Sequence, residues 1–353
     1  MKNLLILNKL KKIFHIDCTL RDGGYYTNWD FNESLVKDYL NSLSGLNINF
    51  AEIGYRFLKN KDLKGPFAFC DEDFINQLNI PKDIKIGVML NSSDLINNGN
   101  LNLNILEKLV PKLSKDSKVD LIRFACEFET LKIIKEGLKI ITKKGYIVGV
   151  NIIKISILND KKIREIGIFA KYCNLKVLYF ADTFGNLNFK DIKKIIKTLR
   201  ENWDGEIGFH GHDNKGLANI NSIEAIKNGA QWVDSTVLGI GRGAGNAKTE
   251  DLLIKFLKKK DLNIKLKPLL NLINKYFLDM KKKFTWGPNS YYLLSAKFSI
   301  HPSYIQNILS DERFKEEDIL SVIGYLKNQD STRFDIDTLN KSIKFLKSRP
   351  KDL

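Results

Sequence analysis

The chain has 353 residues, four cysteines, and 57 lysines and arginines against 41 aspartates and glutamates, a formal charge of +16. That length holds one barrel of about 250 residues plus a smaller unit, and four cysteines with no Cys-x-x-Cys argue against a disulfide framework and for a reducing, cytoplasmic compartment. The apolar run at 4–7 is too short for a signal peptide or a membrane span, and the lysines, spread along the chain with local clusters such as 258–260 and 281–283, sit in no nucleic-acid motif, so they read as a solvated surface that attracts anionic substrates.

In chain order, short apolar runs at 13–20, 50–57, 84–90, 120–126, 146–152, 177–184, 206–212 and 232–238 are the strand candidates. Between them Ile, Leu, Val and Ala recur at three- and four-residue spacing with Lys on the outer face, as at 33–44, 131–144, 163–172, 190–201 and 217–228. Eight strand–helix units predict an α/β fold, a (β/α)8 TIM barrel over 13–261 behind a lead-in at 1–12. Chemistry in such barrels gathers at the C-terminal ends of the strands. Arg21 and Asp22 end the first run and His210 and His212 the seventh. Glu52 and Arg56 on the second, Asn91 after the third, Arg123 on the fourth, Asn151 on the fifth, and Asp182 and Thr183 on the sixth converge on the same rim. So many polar groups from separate strands point to a polar pocket.

Alternation along a strand turns His210 and His212 to one face, with Gly211 leaving room between them. An aspartate is the natural third ligand, and Asp22 is the candidate; two imidazoles and a carboxylate suit a divalent ion and leave positions open for substrate. After the eighth run comes Gly239-Ile240-Gly241-Arg242-Gly243-Ala244-Gly245-Asn246, whose glycines permit positive φ and close approach of backbone N–H groups to an anion. No Gly-Lys-Ser/Thr follows, so it is not a Walker A loop. Beyond 262 the pattern turns helical, at 268–283, 301–309, 316–328 and 337–346, which predicts a helical C-terminal region over 262–353. The aromatic segment 286–292 is expected to return to the barrel mouth, and His301, before Pro302, to cap a helix rather than ligate.

Asp17-Cys18-Thr19-Leu20-Arg21-Asp22-Gly23, Ala51-Glu52-Ile53-Gly54, Ala181-Asp182-Thr183-Phe184-Gly185, His210-Gly211-His212-Asp213-Asn214 and the glycine loop, in that order, resemble the DRE-TIM metallolyases over about 13–255. That group includes hydroxymethylglutaryl-CoA lyase, isopropylmalate synthase and 4-hydroxy-2-oxovalerate aldolase. The resemblance implies Asp22, His210 and His212 as metal ligands, Asn246 as a further ligand, and Arg21 and Glu52 as the arginine and glutamate of the group's name. Asn91, Arg123, Asn151, Thr183, Gly243 and Gly245 are the expected substrate contacts. The loop lacks the thioester lyase's cysteine, and Gly243-Ala244-Gly245-Asn246 resembles the aldolases more than the Gly-Glu-Arg-x-Gly-Asn of the condensing synthases.

The expected reaction is therefore cleavage or formation of a 4-hydroxy-2-oxoacid through a pyruvate-type enolate, on a 2-oxoacid and an aldehyde. The expected cofactor is a divalent ion, Mn²⁺ first, with Mg²⁺ or Zn²⁺ admitted by the mixed donor set. Tyr25 stands where the aldolases carry a histidine base; Tyr25, Tyr26 or a metal-bound water would take the hydroxyl proton, although a tyrosine of reference pKa about 10 needs help at neutral pH. The alternatives are an acyl-CoA/2-oxoacid condensing synthase of the isopropylmalate synthase type, a Schiff-base aldolase through Lys154, and a non-catalytic binding barrel. The aldolase resemblance further implies an aldehyde dehydrogenase docked on the C-terminal helices, and a homo-oligomer is expected.

Overall fold

The computed structural model describes residues 13–59, 64–257 and 265–347. The lead-in at 1–12, the lysine run 258–260 and the expected boundary at 261/262 lie outside them. Eight parallel strands close on themselves: β1 Phe14–Asp17, β2 Phe50–Tyr55, β3 Lys85–Asn91, β4 Val119–Cys126, β5 Ile147–Ile152, β6 Val177–Asp182, β7 Glu206–Gly211 and β8 Trp232–Ser235. Each pairs with the next and β8 pairs with β1, the (β/α)8 TIM barrel. Helices α1 Thr19–Thr27, α2 Glu33–Leu43, α3 Glu72–Gln77, α4 Leu103–Leu109, α5 Leu131–Lys143, α6 Asp160–Cys173, α7 Phe189–Arg200, α8 Ala218–Lys227 and α9 Thr249–Phe256 follow the strands. Strands covered on both faces lose their polar alternation, which is why they read as apolar runs.

Five strands end earlier than the apolar pattern suggests, β2, β6 and β7 by one or two residues and β1 and β8 by three, and the two larger differences shape the mouth. β1 stops at Asp17, whose carboxylate accepts the Thr19 N–H at 2.9 Å and the Tyr39 and Thr249 hydroxyls. That side chain turns the backbone at Cys18, so Arg21 and Asp22 lie in α1 rather than on a strand. β8 stops at Ser235, and Leu238 takes a left-handed φ of 53° as the chain enters the glycine loop.

The lower barrel interior is filled by Ile16, Phe50, Leu121, Val177, Tyr179 and Trp232. Gly208 makes the space: a Cβ there would lie 2.4 Å from the Tyr179 ring. At the C-terminal side, Lys267–Leu272, a π-helical turn Ile273–Phe277 and Leu278–Phe284 lay Leu269, Leu272, Ile273 and Phe277 against the main core. A second core begins only with helices Ser290–Lys297, Pro302–Leu309, Glu316–Leu326 and Ile336–Lys347. It holds Tyr292, Ile300, Tyr304, Ile305, Val322 and Leu326, and it takes Ala244 from the glycine loop, so it sits over that loop. Among the described residues no helix is long and apolar enough to cross a membrane.

Candidate metal centre

His210 faces inward from β7, and His212, one step past the strand, is held by a bridge to Asn246. His210 Nδ1 lies 2.9 Å from Asp234 Oδ2, and His212 Nδ1 lies 2.9 Å from the Asp182 carbonyl. A deprotonated carboxylate and a carbonyl only accept, so each imidazole carries its proton on Nδ1 and presents the Nε2 lone pair, the arrangement that orients metal-binding histidines. His210 Nε2 is 3.3 Å from Asp22 Oδ2, and the ligand atoms of Asp22, His210 and His212 all lie within 4.8 Å of one another. Asn246 donates its amide N–H to Asp22 Oδ2 at 2.8 Å, while its Oδ1 is buried with no hydrogen-bond partner. One carboxylate, two imidazole nitrogens and an orphaned amide oxygen fit a divalent ion.

Burial pushes the Asp22 carboxyl up, but its neighbours, the Arg21 guanidinium foremost, outweigh it and hold the group below the usual carboxylate range. Burial first, with the neighbouring His210 and Arg242 adding to it, holds His212 well below its usual range, so it stays neutral, the form that ligates. Cys18, His210 and Asp234 also cluster, but Asp234 Oδ2 already accepts from His210 and Arg123, which makes this a supporting layer.

Beneath the ligands runs a buried chain of charge. Arg21 Nε reaches Glu52 at 2.5 Å, Glu52 takes Arg123 Nε at 2.7 Å, and Arg123 Nη1 reaches Asp234 at 2.7 Å. Burying any one of these alone would cost several kcal/mol, so the alternation of sign is what allows the layer to exist. Arg21 Nη2 is left without a partner, and Arg21 lines the cavity above. Asp234 was not singled out from the sequence. Its signal was there, since it follows Trp232 by two residues and therefore shares its inward face.

The cavity at the C-terminal mouth measures about 390 Å³. Tyr25, Asn91, Asn151 and Thr183 line it with Arg21, Asp22, His210 and His212. Asn151 Oδ1 has no partner, and Thr183 Oγ1 accepts the Lys154 N–H. Other expected contacts lie elsewhere. Arg123 is fully buried below, its guanidinium 4.5 Å from the Tyr179 ring centre. Arg56 turns away from the mouth to Glu72 at 2.7 Å and to the carbonyls of Cys70 and Leu109. The Asp182 carboxylate accepts the Asn186 and Leu187 N–H groups and so shapes the loop after β6; burial pushes it up to about 7.

Gly243 and Gly245 serve the loop's own closure. Both have positive φ, Gly243 donates to Gln306 Oε1, and a Cβ on Gly245 would lie 2.0 Å from the Gly239 carbonyl oxygen. Arg242, immediately before Gly243, is the loop residue that reaches the cavity. Tyr26 donates to the Gly243 carbonyl, and burial pushes its hydroxyl up to about 12, whereas Tyr25 faces the cavity with its hydroxyl 3.1 Å from that of Tyr55. Trp286 braces the loop by donating to the Leu238 carbonyl. The C-terminal unit instead puts His301 and Arg333 on the cavity wall, and His301 Nδ1 also caps its helix by accepting the Ser303 N–H at 3.4 Å.

Fold and site together define a TIM barrel with an Asp–His–His set and a free guanidinium donor at its catalytic end. The HMGL-like family model matches residues 119–274. The chain is similar to the N-terminal domain of a Bacteroides vulgatus protein provisionally described as an aldolase, at 33% identity and TM-score 0.75, covering 85% of this chain and 98% of that one. It is 26% identical over 247 residues to an oxaloacetate decarboxylase of Mycobacterium tuberculosis, covering 67% of this chain and 68% of that protein. It is 29% identical over 247 residues to a 4-hydroxy-2-oxovalerate aldolase of Carboxydothermus hydrogenoformans, covering 69% and 70%. The Bacillus subtilis HMG-CoA lyase, at 18% identity and TM-score 0.61 over 81% of this chain and 98% of that one, shares the fold. The chain belongs to the HMGL-like family, the DRE-TIM metallolyases. Family and relatives' names indicate a lyase- or aldolase-type enzyme, and the family implies a divalent metal.

Proposed function

We propose that the protein is a metal-dependent carbon–carbon lyase that cleaves or forms a 4-hydroxy-2-oxoacid through a pyruvate-type enolate. The observation that carries this reading is the unpartnered Arg21 Nη2 at the wall of the cavity that holds the Asp22, His210 and His212 side chains. A divalent ion held by those three and Asn246 supplies Lewis-acid polarisation of the 2-oxoacid carbonyl. Arg21 is fixed by Glu52 and Asp22 on its other nitrogens, which leaves Nη2 as a preorganised donor for the oxygen that gains charge as the carbon–carbon bond breaks. Asn91, Asn151 and Thr183 offer neutral polar contacts to the same substrate. Tyr25 relays the 4-hydroxyl proton, taking it on the phenol oxygen as its own proton passes to solvent in the cavity, and Tyr55 positions it: the two hydroxyls are 3.1 Å apart, and Arg21 Nη1 is 3.4 Å from Tyr55.

The relatives' names support this reading, since aldol cleavage of 4-hydroxy-2-oxovalerate and decarboxylation of oxaloacetate both release the pyruvate enolate. The Schiff-base route is disfavoured because Lys154 Nζ is engaged by Glu127 at 3.1 Å. The test is exchange of pyruvate methyl protons in deuterated water, followed by NMR. Exchange should stop on chelation and return with Mn²⁺, and borohydride with pyruvate should leave no adduct. Exchange that survives chelation, or covalent trapping at Lys154, would overturn the reading.

A further inference from the structure

The cavity is charged differently at its two depths. At the floor two guanidiniums, Arg21 and Arg123, face three carboxylates, Asp22, Glu52 and Asp234. One negative charge is left there, which a divalent ion and the single carboxylate of a 2-oxoacid together neutralise. Toward the mouth the balance reverses. Lys154 and Arg333 share one carboxylate, Glu127, at 3.1 and 2.7 Å. Arg242, whose charge is felt at Asp22 and His212 and at His301 on the C-terminal wall, makes no ion pair among the described residues; its guanidinium lies 5.1 Å from the Tyr25 ring centre, and its Nε is buried without a hydrogen-bond partner. Asp330 feels Lys154 and Arg333, but it is exposed, is bonded to Thr332 and does not line the cavity. Two positive charges therefore face the cavity with no carboxylate of their own, one of them on an arginine with an orphaned donor. The terminal methyl group of 4-hydroxy-2-oxovalerate would leave both unanswered, whereas a planar or tetrahedral oxyanion matches an arginine fork.

We propose that the half of the substrate remote from the 2-oxoacid group ends in an anionic group, a carboxylate or a phosphate, held by Arg242 with Arg333 and Lys154 beside it. Which end of the substrate meets which depth follows from the aldolase reading. The chain's specificity would then differ from that of a relative acting on a neutral aldehyde, with Arg242 as the determining residue.

Calorimetric titration of the metal-loaded protein with two 2-oxoacids of equal length tests this: 2-oxoadipate, with a terminal carboxylate, and 2-oxohexanoate, with a terminal methyl. The dianion should bind about tenfold or more tightly. In Arg242→Gln the difference should fall to about threefold or less, Arg242→Lys should keep part of it, and Arg333→Gln, altered at a largely exposed side chain, should lower it by a smaller factor. Equal affinity in the wild type, or a full preference surviving in Arg242→Gln, would overturn the proposal. Turnover with pyruvate and either succinic semialdehyde or glyceraldehyde 3-phosphate separates carboxylate from phosphate as the natural terminus. Pyruvate methyl exchange on the same preparation separates the two readings. Exchange without a preference for the anionic tail removes this inference alone, and absence of exchange removes the aldolase reading while the binding comparison still decides the inference.

Discussion

The lower and upper layers of the barrel interior are built on the same strands and hold opposite chemistry. Phe50, Leu121 and Trp232 fill the lower layer; two residues further along the same strands stand Glu52, Arg123 and Asp234. Period-two alternation puts both sets on one inward face, so the backbone does not distinguish them. The lower layer needs only volume. The upper one needs partners, and Glu52 has two, accepting from Arg21 and from Arg123 while fully buried. Packing errors below should therefore be graded, and pairing errors above should be severe.

The largest contrast should come from Glu52→Gln set against Leu121→Met, a roughly volume-conserving change. Each guanidinium keeps one carboxylate, Asp22 or Asp234, but glutamine offers a single acceptor oxygen where Glu52 uses two and sets an amide N–H against a buried guanidinium donor, and the loss should be about 3–5 kcal/mol of unfolding free energy. Leu121→Met should cost less than about 1.5 kcal/mol. Denaturant unfolding of both variants at one pH decides it, and equal losses would mean that the upper layer is held by packing as well.

Next in size is Arg21, which separates structural pairing from transition-state use. Its Nη2 has no ground-state partner in the protein, so removing it should act mainly on turnover, by about 10²–10³, or roughly 2.7–4 kcal/mol. Arg21→Lys should be nearly as poor as Arg21→Ala, because an ammonium cannot hold Glu52 and Asp22 and still present a third donor in the plane. Steady-state kinetics with a cleavable 4-hydroxy-2-oxoacid provides the measurement; a raised KM with unchanged turnover would make Arg21 a ground-state anchor instead.

The sequence exposed the two layers unevenly. Strand positions and the His210–His212 pair were legible because alternation depends on neighbours along one strand. What escaped was set by contacts between elements. Asp234 was hidden in an apolar run, and only the packing shows that it fixes His210 and Arg123. Arg56 looked like a rim residue until the loops around Cys70 and Leu109 were seen to collect its guanidinium. Gly243 and Gly245 looked like an anion cradle, but their positive φ serves contacts with Gln306 and Gly239, and Arg242 does the reaching. His301 and Arg333 come from a helical unit whose sequence pointed to the mouth only at its aromatic segment 286–292 and not at these two residues.

A smaller effect is expected from Asp234→Asn, which tests the link between the layers. Asparagine's oxygen can still accept from His210, but the Arg123 charge is left half-matched and the imidazole becomes a weaker donor to metal. Metal affinity should fall about 10–100-fold while the barrel still folds. Titration of the apoprotein with Mn²⁺ reads this directly, and unchanged affinity would show that His210 is oriented without Asp234.

The smallest effect isolates a buried carboxyl that, unlike Glu52, has no ion-pair partner among the described residues. Glu250 sits under the glycine loop, accepts the Leu238 N–H at 3.0 Å, and is pushed by burial up to about 7 from a usual value of 4.5. Between those two values the folded protein keeps a proton that the unfolded chain has lost, so the native state binds more protons and stability must fall as pH rises through that window. Glu250 alone should account for a loss of roughly 1 kcal/mol between pH 6 and pH 8. Glu250→Gln keeps an oxygen for the Leu238 N–H and cannot ionise, so its unfolding free energy should decline less than the wild type's by about that amount. Asp182, pushed up to about 7, and Asp213, pushed up to about 6, add slopes of the same sign in both proteins and cancel in the difference. Urea melts of the two proteins at pH 6 and pH 8 give that difference. Parallel declines would mean that Glu250 ionises in the folded state as easily as in the unfolded chain, and that the loop opens enough to hydrate it.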